Sequence, residues 1–319
     1  MTLKGGRDLN KIICIAGPTA SGKTAFAVDL AEKINGEVIS CDSMQIYRGM
    51  DIGTAKPTAK EMRGIPHHML DVADPNEDFS VSRYCEMATP IIDDILARGK
   101  VAIIAGGTGL YMDALIRGNN FAPCPSTGMR EKLEVRADIQ GMEAMLELLR
   151  SIDPEAAAKL HLADRKRILR ALEVYYETGE TITAHNMKTQ QIPPRYTATW
   201  FALEDADRAD LYARIDGRVD KMLEAGLLAE IQQLLASGIP EKCTAMQAIG
   251  YKEFVDFLNG QCTLSEATAR VQQSSRHYAK RQLTWFRKNP QVYWLRRQKG
   301  DGTSEILTAA LQVLADFDN

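Results

Sequence analysis

Residues 17–24 read GPTASGKT and fit the pattern G-x-x-x-x-G-K-[ST] in full. Residues of these types suit one task, the holding of phosphate oxygens. Gly17 and Gly22 let the backbone turn its N–H groups inward, and a helix that starts here adds its positive end. Thr19, Ala20 and Ser21 form the wall between them. Lys23 contributes a mobile point charge, and the Thr24 hydroxyl is placed to ligate a magnesium ion shared with the phosphates. A nucleotide hydrolase built on such a loop needs an acid at the end of a later strand to steady that ion. Here the apolar run 101–105 leads instead into Gly106-Gly107-Thr108-Gly109. The acid stands behind the run 37–41, as Asp42-Ser43. Asp42 is therefore a candidate general base. The alternative is a cap, because Asp-Ser also opens turns and helices.

These groups work together only if the chain folds them to one place. Residues 11–16 (KIICIA) are apolar and β-branched, and an apolar helical period runs from 25 to 34, so the loop lies between a strand and a helix. Residues 37–41 (EVISC) and 101–105 (VAIIA) read as buried strands around a helical stretch at 83–96. Further strands are predicted at 197–203 (TATWFAL) and 291–295 (QVYWL). This alternation implies an α/β fold of P-loop NTPase type, a parallel sheet flanked by helices. In such a sheet the strand C-termini face the ligand crevice, so the loop, Asp42 and Thr108 are expected to converge.

Strand signals vanish from 121 to 195, where helical segments are broken by Pro123, Pro125, Gly141, Pro154 and Gly179 up to Pro193-Pro194. The expected division is a catalytic core of 1–120 and 196–319 with a helical insertion of 121–195. Apolar residues from Leu211 to Leu234 predict one or two amphipathic helices over 207–235, and another helix over 264–287 ends before Pro290.

With 45% hydrophobic and 25% charged residues in 319, the chain has the composition of a globular protein. No apolar run is long enough to span a membrane, and the polar, basic start lacks the core of a signal peptide, which points to the cytoplasm. The six cysteines and five histidines are not spaced like metal sites or redox pairs. The net charge of −3 means that any polyanion must be met by local clusters of cations. One such stretch, 270–299, holds Arg270, Arg276, Lys280, Arg281, Arg287, Lys288, Arg296, Arg297 and Lys299 without an acid. Tyr278, Trp285, Phe286, Tyr293 and Trp294 are interleaved. Cations beside aromatics suit a phosphate backbone with unstacked bases, although the aromatics, Trp294 above all, also read as core. A second cluster, Arg165, Lys166, Arg167 and Arg170, reads equally as a solvated helix face. Arg214 and Arg218 are one helical turn apart and able to reach a common anion, or else lie on a solvated face with Asp210 and Asp220.

Several separated blocks carry a family resemblance. Besides GPTASGKT, the chain reads DSMQIYRGMDIGTAKP at 42–57, HHMLD at 67–71, GGTGLY at 106–111, DRKRILRALEV at 164–174, AIGYKE at 248–253 and RHYAKRQLTWFRK at 276–288. In these blocks, and in their order, it resembles tRNA dimethylallyltransferases, also called tRNA isopentenyltransferases. Members of that family move the dimethylallyl group of dimethylallyl diphosphate to the exocyclic amine of the adenosine 3′ to the anticodon. The resemblance implies that residues 17–24, Arg218 and magnesium hold the diphosphate, that Asp42 takes the amine proton, and that Thr108 helps position the reacting groups. It places the anticodon stem-loop of tRNA on Asp42, Ser43, Met44, Gln45, Thr108, Lys166, Arg167, Arg170, Gln247, Gly250, Tyr251, Lys252, Lys280, Arg281, Gln282, Trp285 and Arg287. The HLAD at 161–164 and Lys166 depart from the common pattern, and the length matches the shorter bacterial type, expected to act as a monomer. Other readings are a transferase acting on free adenine nucleotides, which needs neither the basic stretch nor the insertion, a P-loop kinase of small molecules, and a nucleotide-gated RNA-binding protein.

Overall fold

Among residues 11–118, 127–298 and 300–317, which the computed structural model describes, six short strands run in one direction. The first is β1 (Lys11–Ala16), followed by the loop and α1 (Lys23–Ile34), then β2 (Gly36–Cys41). A one-turn α2 (Ala59–Met62) and a two-residue β3 (His67–His68) precede α3 (Val81–Ala97), β4 (Val101–Gly106) and α4 (Gly109–Arg117). The sheet order is β3-β2-β4-β1 and then two strands from the second half of the chain. Burial on both faces of the sheet explains why β1, β2 and β4 are apolar runs. Ile13, Ile15, Val38 and Ile103 face one layer with Phe26 and Leu30 of α1, while Ile12, Cys14, Ile39 and Ile104 face the other. The edge strand β3 is too short to leave a pattern.

The chain divides into two compact units, Met1–Ile116 with Arg195–Asn319, and Arg117–Pro194. The second is built, in its described part, from helices alone: α5 (Met129–Ile152), α6 (Pro154–Ala158), α7 (Arg165–Thr178) and α8 (Ile182–Gln191). Its own core joins Leu133, Leu146 and Leu149 to Ile168, Leu169 and Leu172. Gly141, at φ 81°, breaks α5 into two helical pieces. Pro123, Cys124, Pro125 and Lys299 lie outside the described residues.

In the first unit the chain returns through β5 (Thr197–Asp205), α9 (Arg208–Glu224), α10 (Leu227–Ala236), a 3-10 turn at Ala245–Gln247, α11 (Lys252–Leu258), α12 (Leu264–Phe286), β6 (Val292–Arg297) and α13 (Thr303–Phe317). β5 pairs with β1, and β6 closes the sheet beside β5. Both outrun the expected strands by two residues, because their last residues are charged and carry no apolar signal. That extension sets Asp205 level with Arg297. On the other side of β1, Ile15 is level with Ala105, and Cys41 of β2 with Gly106 of β4. The turns after β1, β2 and β4 therefore open along one edge. No described helix is long and apolar enough to cross a membrane.

Candidate active site

The turn after β1 has the strained backbone that a phosphate cradle needs. Gly17 sits at φ 144°, where a Cβ would press on the Leu203 carbonyl at 3.0 Å, and Gly22 sits at φ 85°. Ala20 adopts φ 61° without the excuse of being glycine. Ser21 is buried, and its Oγ has no hydrogen-bond partner among the described residues. Lys23 opens α1 with its Nζ on the Pro18 carbonyl at 2.6 Å.

Gln282 of α12 joins this loop to the next. The Thr19 N–H donates to its Oε1 at 2.8 Å, and its Nε2 donates to the Gly107 carbonyl at 3.0 Å. A side chain at Gly107 would overlap that amide. Gln282 is buried, with its amide engaged at both ends, and it forms part of the crevice wall. Gln45 is tied in the same way, receiving the Ser40 hydroxyl and donating to the carbonyls of Thr54 and Ala55.

Asp42 follows β2 directly. Its Oδ1 accepts the Met44 N–H at 2.9 Å, so one oxygen does cap a turn, while the carboxylate also borders the crevice. Thr108 donates its N–H to the Cys41 carbonyl at 3.2 Å and accepts the Ser43 N–H on its Oγ1 at 3.2 Å. A Cβ at Gly106 would strike the Cys41 backbone, so glycine is what lets the two strand ends come this close.

Of Arg214 and Arg218 on α9, only Arg218 borders the crevice. Arg214 is occupied by Asp205 and by the Ala20 carbonyl. Arg218 reaches the Thr54 carbonyl at 3.4 Å and borders the cavity with Lys23 and Asp42. Burial pushes the Lys23 ammonium down to about 7; Arg218 adds to the shift and Asp42 opposes it. Burial also lowers the Arg218 pKa, against the pull of Asp42. Two cations desolvated together, with one carboxylate beside them, make a place for an anion.

The segment 51–54 that holds Arg218 is itself clamped. Glu230 accepts the N–H groups of Asp51 at 2.9 Å, Ile52 at 2.7 Å and Gly53 at 3.2 Å, and the Tyr251 hydroxyl at 2.6 Å. The Tyr251 ring covers Gly53 so closely that a Cβ there would lie 2.4 Å from it. Tyr251 is fully buried, with its hydroxyl and ring engaged in the clamp, and it also lines the larger of two adjoining cavities.

Two adjoining cavities result. The smaller, about 210 Å³, is walled by the loop with Gly106, Gly107 and Gln282. The larger, about 360 Å³, passes Ser43 and Met44 to Ile215, Val219 and Met222, with Gln247, Gly250, Lys252 and Arg281 on its rim. They share Thr19, Ala20, Asp42, Thr54, Arg218 and Tyr278. Tyr278 is the residue that sequence reasoning missed here. Its hydroxyl is pushed up to about 12 by burial and next by Asp42. A signal existed, since Tyr278, Arg281 and Gln282 fall on one face of α12 at helical spacing.

Trp285, Lys280 and Arg287 of the first unit do not line either cavity. The Trp285 indole N–H donates to Asp113 at 2.9 Å while its ring packs over Gly109, leaving it 38% exposed. Lys280 is exposed, and Arg287 pairs with Glu204 beneath the Trp294 ring. On the helical unit Lys166 and Arg167 are exposed, Arg167 lies 3.6 Å from Asp164, and Arg170 pairs with Glu173 at 3.1 Å.

Comparison with known proteins places this geometry. Residues 45–289 match the family model described as IPP transferase, and residues 10–77 match a second, shorter model described as isopentenyl transferase. A tRNA dimethylallyltransferase of Acetivibrio thermocellus is 44% identical over 310 residues, covering 97% of this chain and 99% of its own. The crystal structure of the tRNA isopentenylpyrophosphate transferase of Bacillus halodurans is 43% identical, superposes with a TM-score of 0.71, and covers 96% of each chain. A eukaryotic dimethylallyltransferase, captured acting on tRNA, is 31% identical with a TM-score of 0.82 over 96% of this chain and 80% of its own. Its blocks, its crevice and these end-to-end matches agree: the chain belongs to the IPP transferase family.

Proposed function

We propose that this chain transfers the dimethylallyl group of dimethylallyl diphosphate to the exocyclic amine of the adenosine 3′ to the anticodon in tRNA, releasing diphosphate. The observation that carries the proposal is the junction of the two cavities at Asp42, where an anion cradle opens onto a space large enough for a second reactant.

The chemistry follows from the placement. As the allylic C–O bond breaks, negative charge builds on the diphosphate, and the backbone N–H groups from Gly22 to Thr24 with the Lys23 and Arg218 side chains take it up. The new C–N bond forms from the adenine amine, a weak nucleophile because its lone pair is shared with the ring. Its proton goes to Asp42, a step worth about 10²- to 10⁴-fold in rate. Thr108 fixes the turn that carries Asp42, and the cavity walls orient the base. To enter, that base leaves its stack in the anticodon loop. Lys280, Arg281, Trp285 and Arg287 on α12 and Lys166, Arg167 and Arg170 on α7 are the proposed contacts for the surrounding RNA.

Magnesium suits the cradle. The Thr24 hydroxyl borders the smaller cavity, and among the described residues no cluster of three acidic, histidine or cysteine side chains stands ready to hold a metal alone. Magnesium prefers such a setting, with few protein ligands completed by phosphate oxygens and water. When bound, it supplies further positive charge against the leaving group.

The relatives that match almost the whole chain, a tRNA dimethylallyltransferase and a tRNA isopentenylpyrophosphate transferase by name, favour tRNA over a free nucleotide as acceptor. We propose a monomer acting in the cytoplasm, where unmodified tRNA is found. Incubation with unmodified tRNA, dimethylallyl diphosphate and magnesium, followed by mass analysis of the nucleosides, tests the proposal. A dimethylallyl increment on adenosine is expected. No increment with competent tRNA, or phosphate transfer from labelled ATP, would sink it.

A further inference from the structure

One cation of the basic stretch turns away from solvent and toward the phosphate loop. Arg297 ends β6, and its Nη2–H donates to the Ser21 carbonyl at 2.7 Å. A Cβ on Gly22 would lie 2.9 Å from the same nitrogen. Its Nε is buried without a hydrogen-bond partner among the described residues. Burial lowers its pKa, and Arg214 lowers it further. None of this is the setting of a residue that awaits RNA.

A second guanidinium acts one residue earlier on the same loop. Arg214 Nε–H donates to the Ala20 carbonyl at 3.1 Å, and its Nη2 pairs with Asp205, whose side chain is only 5% exposed. Asp205 and Arg297 are neighbours in register, and the Ala206 N–H donates to the Arg297 carbonyl at 2.9 Å. Two consecutive loop carbonyls are thus held by two arginines from different elements, with Asp205 beside both.

The peptide unit turns this into an effect on the site. A trans peptide is planar, so its C=O and the next residue's N–H point in opposite directions. Gly22 borders the smaller cavity and Arg297 does not. Drawing the Ser21 carbonyl back toward Arg297 therefore aims the Gly22 N–H into the crevice. Arg214 likewise steadies Ala20, whose φ of 61° costs a non-glycine residue energy.

We infer that Arg297 is a positioning residue for the diphosphate cradle and not a tRNA contact: with Arg214 and Asp205 it holds the loop from behind, so that the loop's donors are aimed before the anion arrives. This rests on the loop being a diphosphate holder and is independent of what the acceptor is. Pre-aimed donors avoid reorganisation when charge develops, which is where such a brace takes effect.

The test uses the full chain with magnesium, titrated separately with inorganic diphosphate and with unmodified tRNA, alongside thermal unfolding. Arg297→Met should weaken diphosphate binding by about tenfold or more, the scale of one lost charged hydrogen bond, and leave tRNA affinity unchanged. Arg297→Lys should recover part of the loss, because an ammonium can also donate to a carbonyl. If Arg297→Met does not fold, Asp205→Asn carries the test, with weakened diphosphate binding expected and tRNA binding kept. Unchanged diphosphate affinity in a folded variant, or a loss confined to tRNA, overturns the inference. Failure of the wild type to prenylate tRNA, with these diphosphate effects intact, counts against the proposed acceptor alone.

Discussion

The Ser43 N–H donates to Thr108 Oγ1 at 3.2 Å, so the turn that carries Asp42 is fastened to the turn that follows β4. One hydroxyl thereby fixes the distance between the proposed base and the phosphate side of the crevice. The functional consequences can be tested residue by residue.

Asp42→Asn should lower kcat by about 10²- to 10⁴-fold, the range of general-base catalysis. Because the amide oxygen still accepts the Met44 N–H, the turn and tRNA affinity should persist. Single-turnover kinetics with saturating tRNA checks it, and near-normal turnover would remove Asp42 from the mechanism.

Lys23 makes diphosphate binding pH-dependent. Its pKa of about 7 in the free protein means that the ammonium is largely present below that pH and must be regained on binding above it. Affinity for diphosphate should therefore fall as pH rises above about 7, with proton uptake visible by calorimetry in buffers of different ionisation enthalpy. Stability should move the opposite way. Between about 7 and the ordinary lysine value of about 10.4 the unfolded chain binds the extra proton, so the unliganded fold gains stability as pH rises through this window. Lys23→Met should flatten that slope in urea unfolding and abolish diphosphate binding.

Glu230 should matter to both fold and activity. Glu230→Ala leaves three backbone N–H groups and a buried tyrosine hydroxyl without their acceptor, at about 1–3 kcal/mol for each donor that water does not reach. Tyr251→Phe removes one of these bonds and should cost about 1 kcal/mol. Urea unfolding separates the two. Since Thr54 holds Arg218, both variants should also raise KM for dimethylallyl diphosphate, Glu230→Ala more.

Glu37 governs behaviour in acid. Arg98, by hydrogen bonding, holds its carboxyl well below the usual range, with Lys100 and His68 assisting against the cost of burial. A depressed carboxylate contributes stability above its ordinary value of about 4.3 and loses it as pH falls toward the folded-state value. Wild-type stability should drop steeply below about pH 4, and Glu37→Gln should be less stable at neutral pH with a shallower acid slope.

Local features were the most legible in the sequence. The phosphate loop, the turn at Asp42 and the apolar strands each declare themselves within a dozen residues, and all three meet at the crevice as expected. Roles set by packing were not legible. Gln282 and Tyr251 lie in blocks shared with the family, yet whether such a residue meets RNA or its own protein depends on segments far away in sequence. Tyr278 was seen as an aromatic among cations and not as a neighbour of Asp42. Arg297 and Asp205 were hidden because they close strands with charged residues, where an apolar pattern ends too soon.

The bond between Thr19 and Gln282 spans 263 positions of the chain, and that between Ser21 and Arg297 spans 276. During synthesis the loop emerges well before these supports. A growing chain that ends before α12 carries the whole GPTASGKT motif without the Gln282 and Arg297 contacts that shape it. Non-local closure of this kind comes late in folding. The shape of the phosphate loop thereby depends on α12 and β6 as much as on its own sequence.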